Sequence, residues 1–330
     1  MRIHKLFPPL MAAMVAVVVA TAPASAEKTV IRISHAAAND VGTDQQMMAW
    51  IFANYVNTYS DSLDARIFPN NQLGESRAVI EAMQLGSGSS LHIGGMAEFA
   101  NFCKKCGVLG LPLIWKNYEH IHKTLDGEVG DVLKGEMEKV GFKVLAYGDS
   151  WGYRNVVTAK KQVTKAEDLK GLKIRTIPTP IFVGAINAMG ASAAPMNFGE
   201  IYTSLQTGVL DGFEHTAATV MTNKFYEIAK YVALTRHLFD PTVMAFSRAR
   251  WEELDDKQKE TVLKAAKVAS DVVRALAPIR EAESLAQLTE KGMTVSEIDM
   301  APIRKNARAA QQELAEKIGA ADLLQKILAE

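Results

Sequence analysis

The sequence predicts an α/β protein built from two similar α/β domains with a ligand cleft between them, joined by crossing strands and a long helix. Three observations carry this. Strand-like and helix-like hydrophobic periods alternate along the chain, the pattern of β-α-β units. The passage "EAMQLGSGSSLHI" (81–93) is echoed by "TSLQTGVLDGFEH" (203–215), each a helix end, a Gln-x-Gly turn and a strand. A helical pattern from Trp251 to about Ile279 is long enough to bridge two domains.

The chain opens with Arg2, His4 and Lys5, then a mostly apolar run from Leu10 to Ala20 and the small-x-small triplet Ala24-Ser25-Ala26. This reads as a secretory signal peptide over 1–26, cleaved after Ala26, and places the mature protein in the periplasm. The apolar run is too short for a membrane anchor, Pro23 breaks it, and no later stretch approaches spanning length. The 37 basic and 37 acidic residues balance, and losing Arg2 and Lys5 leaves only a slight negative excess. Such a balance gives no electrostatic footprint for nucleic acid or an anionic membrane. A mature chain of roughly 300 residues exceeds one ordinary core, so two domains are expected.

"TVIRIS" (29–34) alternates as a strand. Asp44 to Tyr59 carries Met47, Met48, Ile51, Phe52, Tyr55 and Val56 at helical spacing. "DARIFP" is the second strand, Ser76 to Leu85 a helix that Gly86 ends, and "SLHIGG" the third strand. This order implies a parallel sheet with helices on its faces. The plan repeats with "GFKVLAY", "NVVTAK", a small helix opened by a Thr164/Glu167 capping box, and a strand from Leu172 to Ile177. A helix over Ile181 to Met189, the strand "SAAPM", a helix capped by Asn197 with Glu200, and "VLDGFEH" follow. The long helix should bury Leu254, Val262, Leu263, Ala266, Ala269, Val273 and Leu276, and the tail, 281–330, is helical and charged. The expected division is 27–152 with about 241–280 as the first domain, and 153–240 with about 281–330 as the second.

Cys103 and Cys106 are the only cysteines. In an exported protein so close a pair is most simply a local disulfide, expected at the surface. The pair does not open a helix as a redox CxxC would. A zinc site would need two further ligands, with His92, His120 and His122 the nearest candidates, so no metal is expected. No motif calls for a cofactor.

Arg175 poses the sharpest question, since it lies on a strand between Ile174 and Thr176, near the strand's end. Open α/β sheets bind ligands beyond the carboxyl ends of their strands, and a guanidinium offers a carboxylate a bidentate fork of donors. On pattern alone an internal ion pair, or simple exposure beside Lys173, has the edge, since arginine on a strand is common. A rival chemistry is suggested by "GDSWG" (148–152), a G-x-S-x-G match with Asp211 and His215 or His237 downstream of Ser150. A nucleophile elbow needs a helix directly after its serine, whereas "YRNVVTAK" reads extended.

The pieces "FPNNQLGESRAVIEAMQLG", "GVLGLPLIW", "AEDLKGLKIRTIPTP", "APMNFGEIYTSLQTGVLDGFEH" and "KFYEIAKYVALTRH" stand in an order and spacing that resembles a known family. It is that of the periplasmic solute receptors of TRAP (tripartite ATP-independent periplasmic) transporters, of the dicarboxylate-receptor type, and the likeness covers nearly all the mature chain. It implies a small organic acid as ligand, TRAP permease membrane subunits as partners, a monomer, and no enzyme activity. It also implies that Arg175 clamps the ligand carboxylate, that Arg154 supplies a second cation, and that Phe198 lines the pocket. His215 stands where the family commonly has Asn, and Glu75 and Trp151 complete the expected contacts. Ser76 and Gly94 stand where sialic-acid receptors carry acidic residues, so that ligand is not expected. Met96, Phe198, Phe213 and Trp151 hint at a less polar acid. The alternatives are a periplasmic serine hydrolase using GDSWG, and a ligand sensor feeding a membrane kinase.

Overall fold

The computed structural model describes residues 27–330; the expected signal peptide and its cleavage point lie outside the described residues. The strands of the first half are β1 (Thr29–Ser34), β2 (Leu63–Phe68), β3 (Leu91–Gly95) and β4 (Phe142–Gly148). The second half holds β5 (Arg154–Thr158), β6 (Lys173–Thr176), β7 (Ser192–Pro195), β8 (Gly212–His215), β9 (Tyr231–Leu238), β10 (Thr242–Ser247) and β11 (Thr294–Glu297). They form two sheets, ordered β2-β1-β3-β10-β4 and β11-β9-β5-β8-β6-β7.

The helices between them are α1 (Asp44–Tyr59), α2 (Ser76–Gln84), α3 (Met96–Phe99), α4 (Tyr118–Asp126) and α5 (Glu128–Lys139). In the second half lie α6 (Pro180–Ala188), α7 (Ile201–Gln206) and α8 (Ala217–Thr222). After β10 come α9 (Arg248–Glu252), α10 (Asp256–Glu290), α11 (Ala301–Lys317) and α12 (Ala321–Ala329).

Neither sheet is wholly parallel. β1, β2 and β3 run parallel, but β10 lies antiparallel between β3 and β4. β5 likewise runs antiparallel to β8 and β9. The cause is the double crossing: the chain leaves the first sheet through 149–153 and returns through 239–241, so one antiparallel ribbon threads both sheets. β9 and β10 escape a local pattern search because every residue of β10 is buried, which removes any alternation.

The long helix is two elements, a short α9 and then α10, which begins at an Asp255–Gln258 capping box and continues past Ile279 to Glu290. Its buried stripe is made of small residues, Ala265, Ala266, Ala269 and Ala277 with Val262 and Val273, which allows close approach to α1 and β4. Leu263 lies off this face, 43% exposed. The tail is not all helix, since β11 adds to β9 as a parallel edge strand. Nor does all of it sit with the second sheet. Leu323, Leu324 and Ile327 of α12 join the core with Leu125, Val129 and Leu133, and His120 Nε2 lies 2.8 Å from the Ile327 carbonyl oxygen.

Two caps differ from expectation. Asp168, not Glu167, caps the turn after Thr164, its Oδ2 accepting from the Thr164 and Lys165 amides at 3.0 and 3.2 Å. Asn197 makes no side-chain cap, because a 3-10 turn over Phe198–Glu200 precedes α7. Cys103 and Cys106 form a disulfide, but a buried one, in a core shared by both domains. The 3-10 turn it begins, Lys104–Gly110, lies so close to α6 that a Cβ on Gly110 would stand 2.6 Å from the Phe182 ring. This apolar seam fastens the two sheets together behind the cleft.

Candidate ligand-binding cleft

The strand ends of the two sheets face a common cleft, with an empty volume of about 1070 Å³, part of it open to solvent. Gly95 ends β3, Arg175 nearly ends β6 and His215 ends β8, so the cleft lies where open α/β sheets present their ligands. Ser150, Arg154 and Asp240, on the two crossings, form its floor.

Arg175 is 2% exposed. Its Nε donates to the Met196 carbonyl at 2.8 Å, and its Nη1 is buried without a partner. Among the described residues no carboxylate lies within ion-pair distance of it, which removes the internal-pair alternative. Burial lowers its pKa to about 10, with Glu214 opposing, so it remains a cation at neutral pH. Phe198 covers the guanidinium with its ring centroid 5.9 Å away. A buried, charged donor that the protein leaves unanswered is a site for an anion.

Arg154 is a different case. Its Nη2 donates to Glu214 Oε1 at 2.9 Å and to the Glu214 carbonyl at 3.1 Å, while Nε donates to Oε2. The Thr176 hydroxyl also donates to Oε1, at 2.9 Å. Burial works against the Arg154 charge, yet Glu214 holds its pKa above the usual value. Arg154 lines the cleft as a second cation, with its charge offset within the protein by Glu214.

Phe198 and His215 sit on the cleft wall with ring centroids 5.6 Å apart. His215 Nδ1 accepts from the Thr216 amide at 2.9 Å, which leaves the ring's proton on Nε2. Burial, then Arg154 and Arg175, push its pKa well below the histidine norm, so the ring is neutral. Glu75, before α2, lines the rim, where its carboxylate accepts from Asn71 at 3.2 Å. Trp151 does not belong to the cleft. It is fully buried against α10, its Nε1 donating to the Val273 carbonyl at 3.3 Å. Met96 and Phe213 are likewise core, which leaves Phe198, of the four apolar residues, on the cleft wall.

The sequence reading missed an acidic wall made by Asp44, Glu98 and Asp240. Burial raises Asp44 to about 6 and Asp240 to about 7. Burial also opposes the Glu98 charge, but hydrogen bonds from His92 and Ser76 hold its carboxyl below the usual range. Two adjacent glycines make room for this wall. A Cβ on Gly95 would stand 2.0 Å from Asp240 Oδ2, and one on Gly94 would stand 2.9 Å from the Glu98 carboxylate. "GGMAEF", a glycine pair at a strand end followed by a carboxylate, was the available signal.

Ser150 is no nucleophile. Its Oγ donates to the Asp240 carbonyl, and the strand β5 rather than a helix follows it. Asp211 lies apart, its Oδ2 accepting from the Lys173 amide at 2.8 Å. Among the described residues no cluster of His, Cys, Asp and Glu is arranged to hold a metal. Also among them, no helix is long and apolar enough to cross a membrane.

Two α/β domains, a double crossing and a cleft that holds, among the described residues, the unanswered cation of Arg175 define an extracytoplasmic solute receptor. The family model DctP, described as bacterial extracellular solute-binding protein, family 7, matches residues 34–322, and the chain belongs to that family. The 2,3-diketo-L-gulonate-binding periplasmic protein YiaO of Escherichia coli K12 is 34% identical over 233 residues, 71% of this chain and 70% of that protein. A TRAP periplasmic solute binding protein from Sulfitobacter sp. NAS-14.1, solved with bound β-D-galacturonate, superposes with a TM-score of 0.86 at 27% identity, covering 92% of this chain and 100% of that one. Another from Roseobacter denitrificans OCh 114, with bound L-galactonate, gives 0.84 at 29% identity, covering 91% and 99%. The chain is a receptor for a small organic acid serving a TRAP-type permease, not an enzyme. The hydrolase and sensor alternatives find no support.

Proposed function

We propose that this receptor captures a hydroxylated monocarboxylate, a sugar acid of the aldonate or uronate type, in the periplasm and passes it to the permease as a monomer. The observation that carries the reading is the buried, unpartnered Nη1 of Arg175 in a cleft whose opposite wall is made of acceptors. Arg175 anchors the carboxylate with its fork. Phe198 packs on the anchored end, and His215 offers Nε2–H to an acceptor on the ligand. The polar wall suits hydroxyls, which donate as well as accept. The sugar acids held by the two structural relatives are of this chemistry.

A thermal-shift screen of aldonates, uronates, C4-dicarboxylates and aromatic acids tests the reading. A ligand at 100 times its dissociation constant adds about 2.7 kcal/mol to stability. The expected outcome is a rise in melting temperature with aldonates or uronates alone. A response confined to dicarboxylates or aromatic acids would overturn the sugar-acid reading. Size-exclusion chromatography with light scattering checks the monomer.

A further inference from the structure

We propose that Glu98, positioned by His92, determines specificity: it accepts a hydroxyl of the bound acid and turns away ligands that carry a second carboxylate. The inference rests on Arg175 being the carboxylate anchor. Glu98 faces the cleft from the first sheet's side, with 17% of its side chain exposed, whereas Arg175 faces it from the second. A ligand held at Arg175 must therefore present its far end to the Glu98 wall.

That carboxylate is held in place. Its Oε2 lies 3.0 Å from His92 Nε2, and His92 Nδ1 lies 2.9 Å from the Ser34 hydroxyl. Ser34 lies 2.9 Å from the Ser89 hydroxyl, which is 2.9 Å from the carbonyl oxygens of both Arg32 and Leu91. An ionised carboxylate can only accept, so the contact to Glu98 is made through the ring's Nε2–H. Gly94 lets the carboxylate lie against β3 without a clash.

Among the described residues no free arginine or lysine lines this side of the cleft. Of the other arginines lining the cleft, Arg154 is paired with Glu214, and Arg77 with Glu81 at 3.0 Å. Asp240, with Oδ1 engaged by the Ala97 amide at 3.0 Å, adds a second acceptor when ionised, above about pH 7. A hydroxyl arriving here finds acceptors for its proton, whereas a second carboxylate brings only lone pairs and like charge. This is selection by repulsion as much as by attraction.

The test compares aldonates of four to six carbons with the aldarates of the same skeletons, by calorimetry on the mature chain. The wild type should bind its best aldonate at least about 100-fold more tightly than the matching aldarate. Glu98→Gln, which keeps the shape and removes the charge, should narrow that ratio at least about tenfold. His92→Leu should narrow it as well, and His92→Gln, which restores an N–H toward Glu98, should recover part of it. An unchanged ratio in Glu98→Gln, or a wild type that binds both acids equally, overturns the inference and leaves the receptor reading standing. Absence of binding by every aldonate and uronate would instead sink that reading.

Discussion

Arg154 and Glu214 grip each other across the neighbouring antiparallel strands β5 and β8, while Arg175, on β6 at the other side of β8, has no carboxylate within ion-pair distance among the described residues. Two buried arginines a strand apart thus have opposite fates. One is neutralised by the fold, and the other is held charged and open to the cleft.

Arg175→Lys should keep the charge and lose the fork, so affinity for the preferred acid should fall by roughly 1–3 kcal/mol in calorimetry. Arg175→Met should abolish tight binding yet melt no lower than wild type, because it removes an uncompensated buried charge. A lower melting temperature with intact binding would assign Arg175 a structural role.

Glu214→Leu should behave in the opposite way. It strands Arg154 in the interior, and urea unfolding should show a loss of about 3–5 kcal/mol. A loss below about 1 kcal/mol, typical of an exposed pair, would mean that the pair is not buried as described.

His215 should not titrate in the working range. Its pKa is pushed well below the usual histidine value, so any pH dependence of the dissociation constant between about pH 5.5 and 8 should come from the cleft carboxyls Asp44 and Asp240, not from this ring. His215→Asn should keep the wild-type pH profile, with affinity lowered by about 0.5–1.5 kcal/mol if its Nε2–H donates to the ligand. Affinity that rises with acid in the wild type, and not in the variant, would show that the bound carboxylate draws a proton onto the ring.

Asp240 carries a raised pKa of about 7, so its contribution to stability is largest in acid and is lost as pH rises through that value. Asp240→Asn should therefore hold its greatest advantage over wild type above pH 7. That advantage should shrink by about 1.4 kcal/mol per pH unit between about pH 7 and 4. Paired denaturant melts across this range measure it, and a difference independent of pH would mean that Asp240 is not buried as a carboxylate.

Much of this was legible in the sequence. Strands β1 to β8 and the helices α1, α2, α6 and α7 follow from period and turn chemistry, whereas α3, α4, α5 and α8 were not read. The likeness of pieces such as "LKGLKIRTIPTP" pointed to Arg175, Arg154, Phe198 and His215, all of which line the cleft. Trp151 was misplaced because an aromatic at a crossing reads the same whether it faces a pocket or a helix. Asp240 was missed because nothing in its local sequence distinguishes a carboxylate in a cleft from one in solvent, whereas Glu98 carried one weak local signal, the glycine pair of "GGMAEF".

By itself, the sequence determined the α/β class, the two-domain plan and an arginine at the end of a strand, since these follow from spacing along the chain. Only the tertiary structure decided which arginine is free. Arg154 and Glu214 are separated by sixty residues, and their pairing depends on β5 and β8 becoming antiparallel neighbours through the double crossing. A charge's fate is set by the groups around it in space, and long-range strand pairing, not local pattern, brings those groups together.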